Sequence, residues 1–420
     1  MSDAKDPKAA AGTGVQQVPS GLALTALNPL FREHPHQVLE QLRAAEPVHR
    51  DRQFDRVILT RFEDVRAVTA DRSLAVNPMK SRPGSFSRVL HGLDRAETVF
   101  EPSMLQSDDP DHKRLRGLVS QAFNQRSIDA FRPRIRQIAE QLLDGLAGRE
   151  SFDVIADYVA PLPTIVIAEM LGVDPGDQAE FKRWSDALVH SFNPLRTPEQ
   201  TAALEEGSRG LVGYFQRAVD ARRAQRGADL ISALVAAEGE GDRLSEREVL
   251  SICNLLLAAG NVTTTDLMGN GVLALLRHPD QLARLKADPE LARNAIEEML
   301  RFDPPVTQTV RITTAPREID GMKLDTGETI TASLLGAGRD PAVHTEPDTF
   351  DIARKDPRHM SFGGGLHFCL GAPLARAEAQ IGIPLLFERF PGLRLDPDRK
   401  VVRKAAPVFN GLEALWVRTA

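Results

Sequence analysis

One long helical pattern, weakened at its own centre, constrains this chain more than any other feature. Ser245 and Glu248 form a capping box, and Leu244 and Val249 stand where its hydrophobic staple would be, so the spacing predicts a helix starting at Ser245. From there Val249, Leu250, Cys253, Leu256, Leu257, Leu267, Leu273, Leu275 and Leu276 keep a near-helical apolar rhythm until His278-Pro279, where proline should end the element. Such a helix runs about 33 residues, roughly 50 Å at the standard rise. Its middle reads A-A-G-N-V-T-T-T-D over 258–266. Gly260 costs about 1 kcal/mol relative to alanine, and Asn261 and the three threonines are weak helix formers whose hydroxyls can bond the helix's own carbonyls. Either the helix tolerates a glycine beside solvated threonines, or something offsets that loss.

Composition narrows the class. The chain has 420 residues, 42% of them hydrophobic, enough to bury a large core. Net charge is -6 with no long basic run, which argues against a nucleic-acid protein while leaving room for local basic patches. The opening stretch MSDAKDPKAAAGTGVQQVPSG lacks the apolar core of a signal peptide and the length to span a membrane, so a disordered tail is expected over 1–18. Cys253 and Cys369 cannot build a disulfide framework and fit a reducing cytoplasm. Cys253, inside the apolar run of the long helix, is expected to be buried and inert.

Helical patterns dominate: 35–45, 62–71, 109–123, 127–147, 161–171, 176–191, 199–226, 229–238, 245–277, 280–286, 289–302 and 371–389. Strand signals are short and split between the two ends: VHRDR and RVILTR early, VTQTVRITT and ETITASL after residue 305, then VVRKA and LEALWV. Small sheets must therefore combine remote segments, so one interwoven domain over 19–420 is expected. The stretch 74–108 has weak periodicity and many Ser, Pro, Gly and Arg residues; a long loop of this kind is functional or disordered.

The second cysteine sits in F-G-G-G-L-H-F-C-L-G, just before a helix that begins A-P-L-A-R. Backbone N–H groups and the macrodipole at a helix N-terminus favour a thiolate, and glycines at 363, 365 and 371 let a backbone turn tightly and approach a flat ligand. A glycine-rich loop with a buried thiol is the plain alternative.

Phe362, Gly363, Gly365, His367, Cys369 and Gly371 together resemble the haem-binding loop of the cytochrome P450 family. The resemblance recurs along the chain. Glu298-Met299-Leu300-Arg301 is similar to the family's Glu-x-x-Arg, PDTFDIAR ending at Arg354 to the segment that follows it, and NGLEALWV to the closing hairpin, so nearly the whole chain is covered. It implies a mainly α fold with small β-sheets and a long central helix over the haem. Cys369 would be the axial ligand of the iron of haem b, iron protoporphyrin IX. His112, Arg116, Arg311 and His367 match propionate-binding positions, where Arg offers a fork suited to a carboxylate. Glu298, Arg301 and Arg354 would form a buried structural network. Ala259-Gly260 and Thr263 match the oxygen-binding kink, with a disturbed helical bond, and the threonine through which protons reach the oxygen being activated. Many members carry an acid just before that threonine; here Val262 stands there, and Asp266, three residues beyond, is the expected substitute relay.

The implied activity is that of a haem-thiolate monooxygenase, inserting one oxygen atom of dioxygen into an apolar small molecule by hydroxylation or epoxidation. Electrons would come from a separate ferredoxin and its NAD(P)H-dependent reductase, docking near Lys113, Arg114 and Arg376. Leu90, Phe192, Ala259, Val306 and Phe409 would line an apolar pocket. A cytoplasmic monomer without a membrane anchor is expected. Two rivals are a haem-thiolate binding or gas-sensing protein without turnover, and a peroxide-driven peroxygenase; the family's Arg-Pro pair of the latter is replaced here by Val262-Thr263.

Overall fold

The computed structural model describes residues 18–94, 102–239 and 243–419. Of the expected tail over 1–18, residues 1–17 lie outside them. The long helix spans Glu246–Arg277, with the Ser245 hydroxyl accepting from the Glu248 N–H and the Glu248 carboxylate accepting from the Ser245 N–H at 2.8 Å. From Thr264 to Leu275 every side chain on it is buried, so its second half is core on all faces. It packs against helices Pro161–Leu171, Gln178–Val189, Pro198–Ala224, Ala292–Phe302 and Ala372–Arg389, the last holding the second cysteine at its start.

The helix runs unbroken through 258–266, contrary to the expected disturbed bond. Side chains absorb the threonines instead. Thr263 donates its hydroxyl to the Ala259 carbonyl at 2.9 Å, and Thr265 donates to the Val159 carbonyl of a neighbouring turn at 3.3 Å. Burial of the surrounding face offsets the weak local propensity.

A four-stranded sheet joins segments remote in the sequence. Val48–Asp51 pairs antiparallel with Arg56–Leu59, which lies parallel to Thr329–Ser333, itself antiparallel to Gln308–Ile312. Val57, Leu59, Ile330 and Ala332 pack with Phe62, Val65 and Val68 in a second core. Four short strands carry no sequence signal: Ser151–Asp153, Arg317–Ile319, Met322–Leu324 and Arg394–Leu395, each too short to show alternation. The LEALWV stretch is two strands, because it changes sheets. Leu412–Ala414 pairs with Val402–Arg403, whereas Trp416–Arg418 joins Ser151–Asp153 and Arg394–Leu395. The turn between them is held by Asp153, whose carboxylate accepts from the Leu415 N–H at 2.8 Å. Within 74–108 the chain forms helix Phe86–His91, so the segment is not structureless; 95–101 lie outside the described residues. Among the described residues no helix is long and apolar enough to cross a membrane.

Candidate active site

Cys369 sits one turn before helix Ala372–Arg389, at the end of a tight loop closed by Cys369 N–H donating to the Phe362 carbonyl at 2.9 Å. Gly363 and Gly365 take left-handed backbone, φ 68° and 65°. At Gly365 a Cβ would stand 2.6 Å from the Thr69 carbonyl oxygen, so glycine is needed there to pass the backbone of helix Phe62–Ala70. Gly371 is different. Its φ is -80°, and the nearest atom to a Cβ would be the Cys369 sulfur at 4.0 Å, so neither turning nor close backbone approach explains it.

Protein atoms surround the Cys369 thiol on most sides. Burial pushes the Cys369 thiol up, while the N–H groups of Gly371 and Ala372 and the charges of Arg116 and Arg376 pull it down. A cation bound at the sulfur would settle that balance for the thiolate. Cys253 contrasts with it: buried in the core, its thiol is pushed up to about 12 by burial.

Helix Ala292–Phe302 supports the loop from behind. Glu298 and Arg301 have no solvent exposure; Arg301 donates to both Glu298 carboxylate oxygens at 2.7 and 2.8 Å, and Arg354 donates to the same carboxylate at 3.1 and 3.2 Å. The remaining Arg301 protons go to the backbone carbonyls of Gly338, Pro347 and Thr349, and Arg354 also donates to those of Thr345, Glu346 and Thr349. The three residues expected to act together are thus one network pinning the 338–354 chain. Glu297, next along the helix, was missed by the sequence: it receives Arg376 at 2.7 and 2.8 Å and His359 at 3.0 Å, and Ser361 donates to the Leu300 carbonyl at 2.6 Å.

His112, Arg116, Arg311 and His367 converge beside the loop. The His112 and His367 rings lie 4.0 Å apart. Arg116 donates to the Leu366 and Phe368 carbonyls at 3.2 and 2.7 Å, and Arg311 to the Val310 and Thr69 carbonyls at 2.8 and 3.1 Å. Burial, then His112 and Arg311, hold the His367 imidazole down to about 3, and burial lowers Arg311 to about 10. Two guanidinium groups and two imidazoles able to donate hydrogen bonds, gathered in one place, suit a dianionic partner. A polar cleft of about 170 Å³ bordered by Thr69, Lys80, Asp108, Arg311 and His367 opens next to them.

On the long helix, Leu255, Ala259 and Thr263 fall four residues apart and form its accessible stripe. Gly260 does not share it: a Cβ there would meet Ile167 at 3.3 Å, so the glycine serves the approach of helix Pro161–Leu171 and not of a cofactor. Asp266 also departs from expectation. Its carboxylate is buried, accepts from Lys404 at 2.7 Å and makes no described contact with Thr263. Phe192, Val306 and Phe409 pack together with Val262, while Leu90 is buried in its own helix. Lys113 is exposed, but Arg114 is committed to Glu248 at 2.5 Å and Arg376 to Glu297, so neither is the free surface cation expected.

A sulfur beside backbone N–H groups at a helix start, a cluster of two arginines and two histidines, and a long helix with an accessible threonine in a mainly helical fold are the parts of a haem-thiolate protein, and the residues present fit that group. The family model described as Cytochrome P450 matches residues 67–407. The chain is 39% identical over 413 residues to "Cytochrome P450 monooxygenase PikC" of Streptomyces venezuelae, covering 96% of each. Among solved structures it resembles the myxobacterial cytochrome P450 CYP267B1 in complex with myristic acid, with TM-score 0.87, 37% identity, and 94% of this chain and 98% of that one covered. It also resembles P450BioI in complex with hexadec-9Z-enoic acid ligated acyl carrier protein, with TM-score 0.84, 33% identity, and coverage of 93% and 100%. The chain belongs to the cytochrome P450 family, and it is an oxidoreductase of the monooxygenase class that works with haem.

Proposed function

We propose that the protein inserts one atom of dioxygen into an apolar small molecule, with residues 19–420 acting as one cytoplasmic, monomeric domain. Cys369 would ligate the iron of haem b, and His112, Arg116, Arg311 and His367 would hold its two carboxylates by charge-assisted hydrogen bonds. When bound, that group supplies dioxygen activation and two-electron oxidation chemistry. The chain's own part is to hold the thiolate with the Gly371 and Ala372 amides, keep water from the apolar cluster around Phe409, and present a proton at the Thr263 hydroxyl.

Long-chain acyl compounds stand first among candidate substrates, because two similar structures were solved with fatty acid or acyl carrier ligands; polyketide, terpenoid and steroid compounds follow. Electrons would arrive from a ferredoxin and its NAD(P)H-dependent reductase. The docking face is read around Lys113 and the exposed Phe368, next to the cysteine.

The observation that carries this reading is the Cys369 thiol beside the Gly371 and Ala372 N–H groups at a helix start, next to a cluster of two arginines and two histidines. The purified protein, reduced and exposed to carbon monoxide, is expected to give a strongly red-shifted Soret band, and to oxidise tetradecanoic acid with NADH and a surrogate ferredoxin pair. A folded, haem-loaded protein without that band would refute thiolate ligation. A band without electron-driven turnover on any candidate would favour the non-turnover alternative.

A further inference from the structure

Val262, Asp266 and Asn270 lie four residues apart and form a stripe on the long helix next to the accessible one. The C-terminal hairpin, strands Val402–Arg403 and Leu412–Ala414 with their connecting loop, lies along this stripe. Val262 packs with Ala406, Val408 and Phe409. One turn on, Asp266 receives Lys404 at 2.7 Å. A further turn on, Asn270 donates to the Asn410 carbonyl at 2.6 Å and the Asp303 carbonyl at 3.2 Å. The hairpin is therefore registered on the helix at three successive turns.

Two of these contacts bracket Phe409 in sequence. On its other side, Arg403 and Asn410 are tied to Asp303 at 2.7 and 2.6 Å, and Thr307 N–H donates to the Val408 carbonyl at 2.9 Å. Phe409 itself meets the Phe192 ring edge-on at 5.3 Å and pairs with Val306. Its depth follows from where the hairpin is held.

The Asp266–Lys404 pair is a poor device for stability alone. Asp266 is 1% exposed, and one of its oxygens has no hydrogen-bond partner among the described residues. Removing an ion pair of this kind in favour of apolar side chains is often neutral or stabilising, whereas its directional contact fixes register. The packing leaves no slack: a Cβ at Gly411 would stand 2.0 Å from the Asp266 carboxylate, so the hairpin backbone lies directly on it. The nearby charges are Lys182 and Asp186 on helix Gln178–Val189, and Arg403 and Glu413 on the hairpin.

We propose that Asp266 and Lys404 are positioning residues: their buried contact sets the hairpin on the long helix, and so the depth of Phe409 in the apolar pocket and the length of ligand the pocket accepts. The inference rests on the reading of that cluster as the ligand pocket. It does not depend on which substrate is native.

The test uses N-butyl-, N-octyl- and N-dodecylimidazole, whose rings ligate haem iron while their tails probe the pocket. Spectral titrations compare the haem-loaded wild type with Asp266→Asn and with the paired variant Asp266→Leu/Lys404→Met, which removes both charges and so leaves no buried ion alone. Both variants are expected to load haem as the wild type does, yet to shift the ratio of dodecyl to butyl affinity by roughly tenfold, the scale of a repacked apolar pocket. An unchanged ratio in the paired variant overturns the proposal. If Asp266→Asn does not load haem, the paired variant alone decides. A wild type that binds all three imidazoles equally shows that the cluster is not the pocket, and overturns the proposal by that route. Absence of a red-shifted carbon monoxide band in the wild type would instead count against the haem-thiolate reading itself.

Discussion

Arg301 and Glu298, three residues apart on one helix and both without solvent exposure, share two hydrogen bonds of 2.7 and 2.8 Å. Arg354 and the Asp351 N–H complete the carboxylate's coordination from a chain segment more than fifty residues away. Every Arg301 proton that points away from Glu298 meets a backbone carbonyl, so truncating either partner leaves buried charge short of its partners. Glu298→Gln and Arg301→Met should each lose about 3–5 kcal/mol of stability. Urea unfolding measures the loss, and the haem content of the purified protein should fall with it. A loss under about 1 kcal/mol would mean that the network is not what holds the 338–354 segment.

Glu297 predicts a pH dependence. Burial works to raise its carboxyl, but hydrogen bonds from Arg376 and His359 win and hold it down to about 2. The folded value lies below the unfolded one of about 4.3. Its contribution to stability is therefore complete above about 4.3 and disappears as pH falls from there to about 2. Urea midpoints taken across that window should drop more steeply for the wild type than for Glu297→Gln. At neutral pH the variant should be less stable by on the order of 1 kcal/mol, the pair being partly solvated. Parallel curves for the two proteins would remove Glu297 from the acid response.

These two residues also show how far the sequence could be read. The long helix was legible because its signals are local: Ser245 and Glu248 at one end, Pro279 at the other. So were the cysteine loop and the Glu298–Arg301 spacing. What stayed hidden depends on partners remote along the chain. Glu297 meets Arg376 across 79 positions and Asp266 meets Lys404 across 138, so neither shows its contact in any window of sequence. Gly260 looked like a place for a ligand because its neighbours did, whereas the side chain that needs the space is Ile167. Strand Ser151–Asp153 exists only because Trp416–Arg418 pairs with it.

The loop glycines should separate cleanly on substitution. Gly365→Ala must put a side chain at φ 65° and against the Thr69 carbonyl and the Ala70 Cα, which are backbone and cannot swing away. A loss of at least about 2 kcal/mol is expected, with much of the haem binding. Gly371→Ala, at an ordinary φ and with the Cys369 sulfur at 4.0 Å as its nearest protein atom, should cost the fold much less than Gly365→Ala does. Thermal unfolding and pigment absorbance of the two variants measure this. Equal effects at both positions would show that the close passage over helix Phe62–Ala70 is not what requires glycine.

Thr263 tests the catalytic reading without disturbing the fold. Its hydroxyl bonds the Ala259 carbonyl, an acceptor that belongs to the helix in any case, and the residue stands on the accessible stripe with Leu255 and Ala259. Thr263→Val keeps the branched shape and deletes the proton, so stability should change by no more than about 1 kcal/mol. If the hydroxyl delivers protons during turnover, its loss leaves oxygen reduced but not inserted, and peroxide released per NADH consumed should rise about tenfold. Thr263→Ser restores a hydroxyl at the same atom and should recover most of the coupling. On that reading Val262 cannot supply a proton and Asp266 is held by Lys404, so the threonine would draw on solvent and the coupling of the wild type should depend on this one hydroxyl. If Thr263→Val couples as well as the wild type, protons reach the oxygen by a route that bypasses this residue.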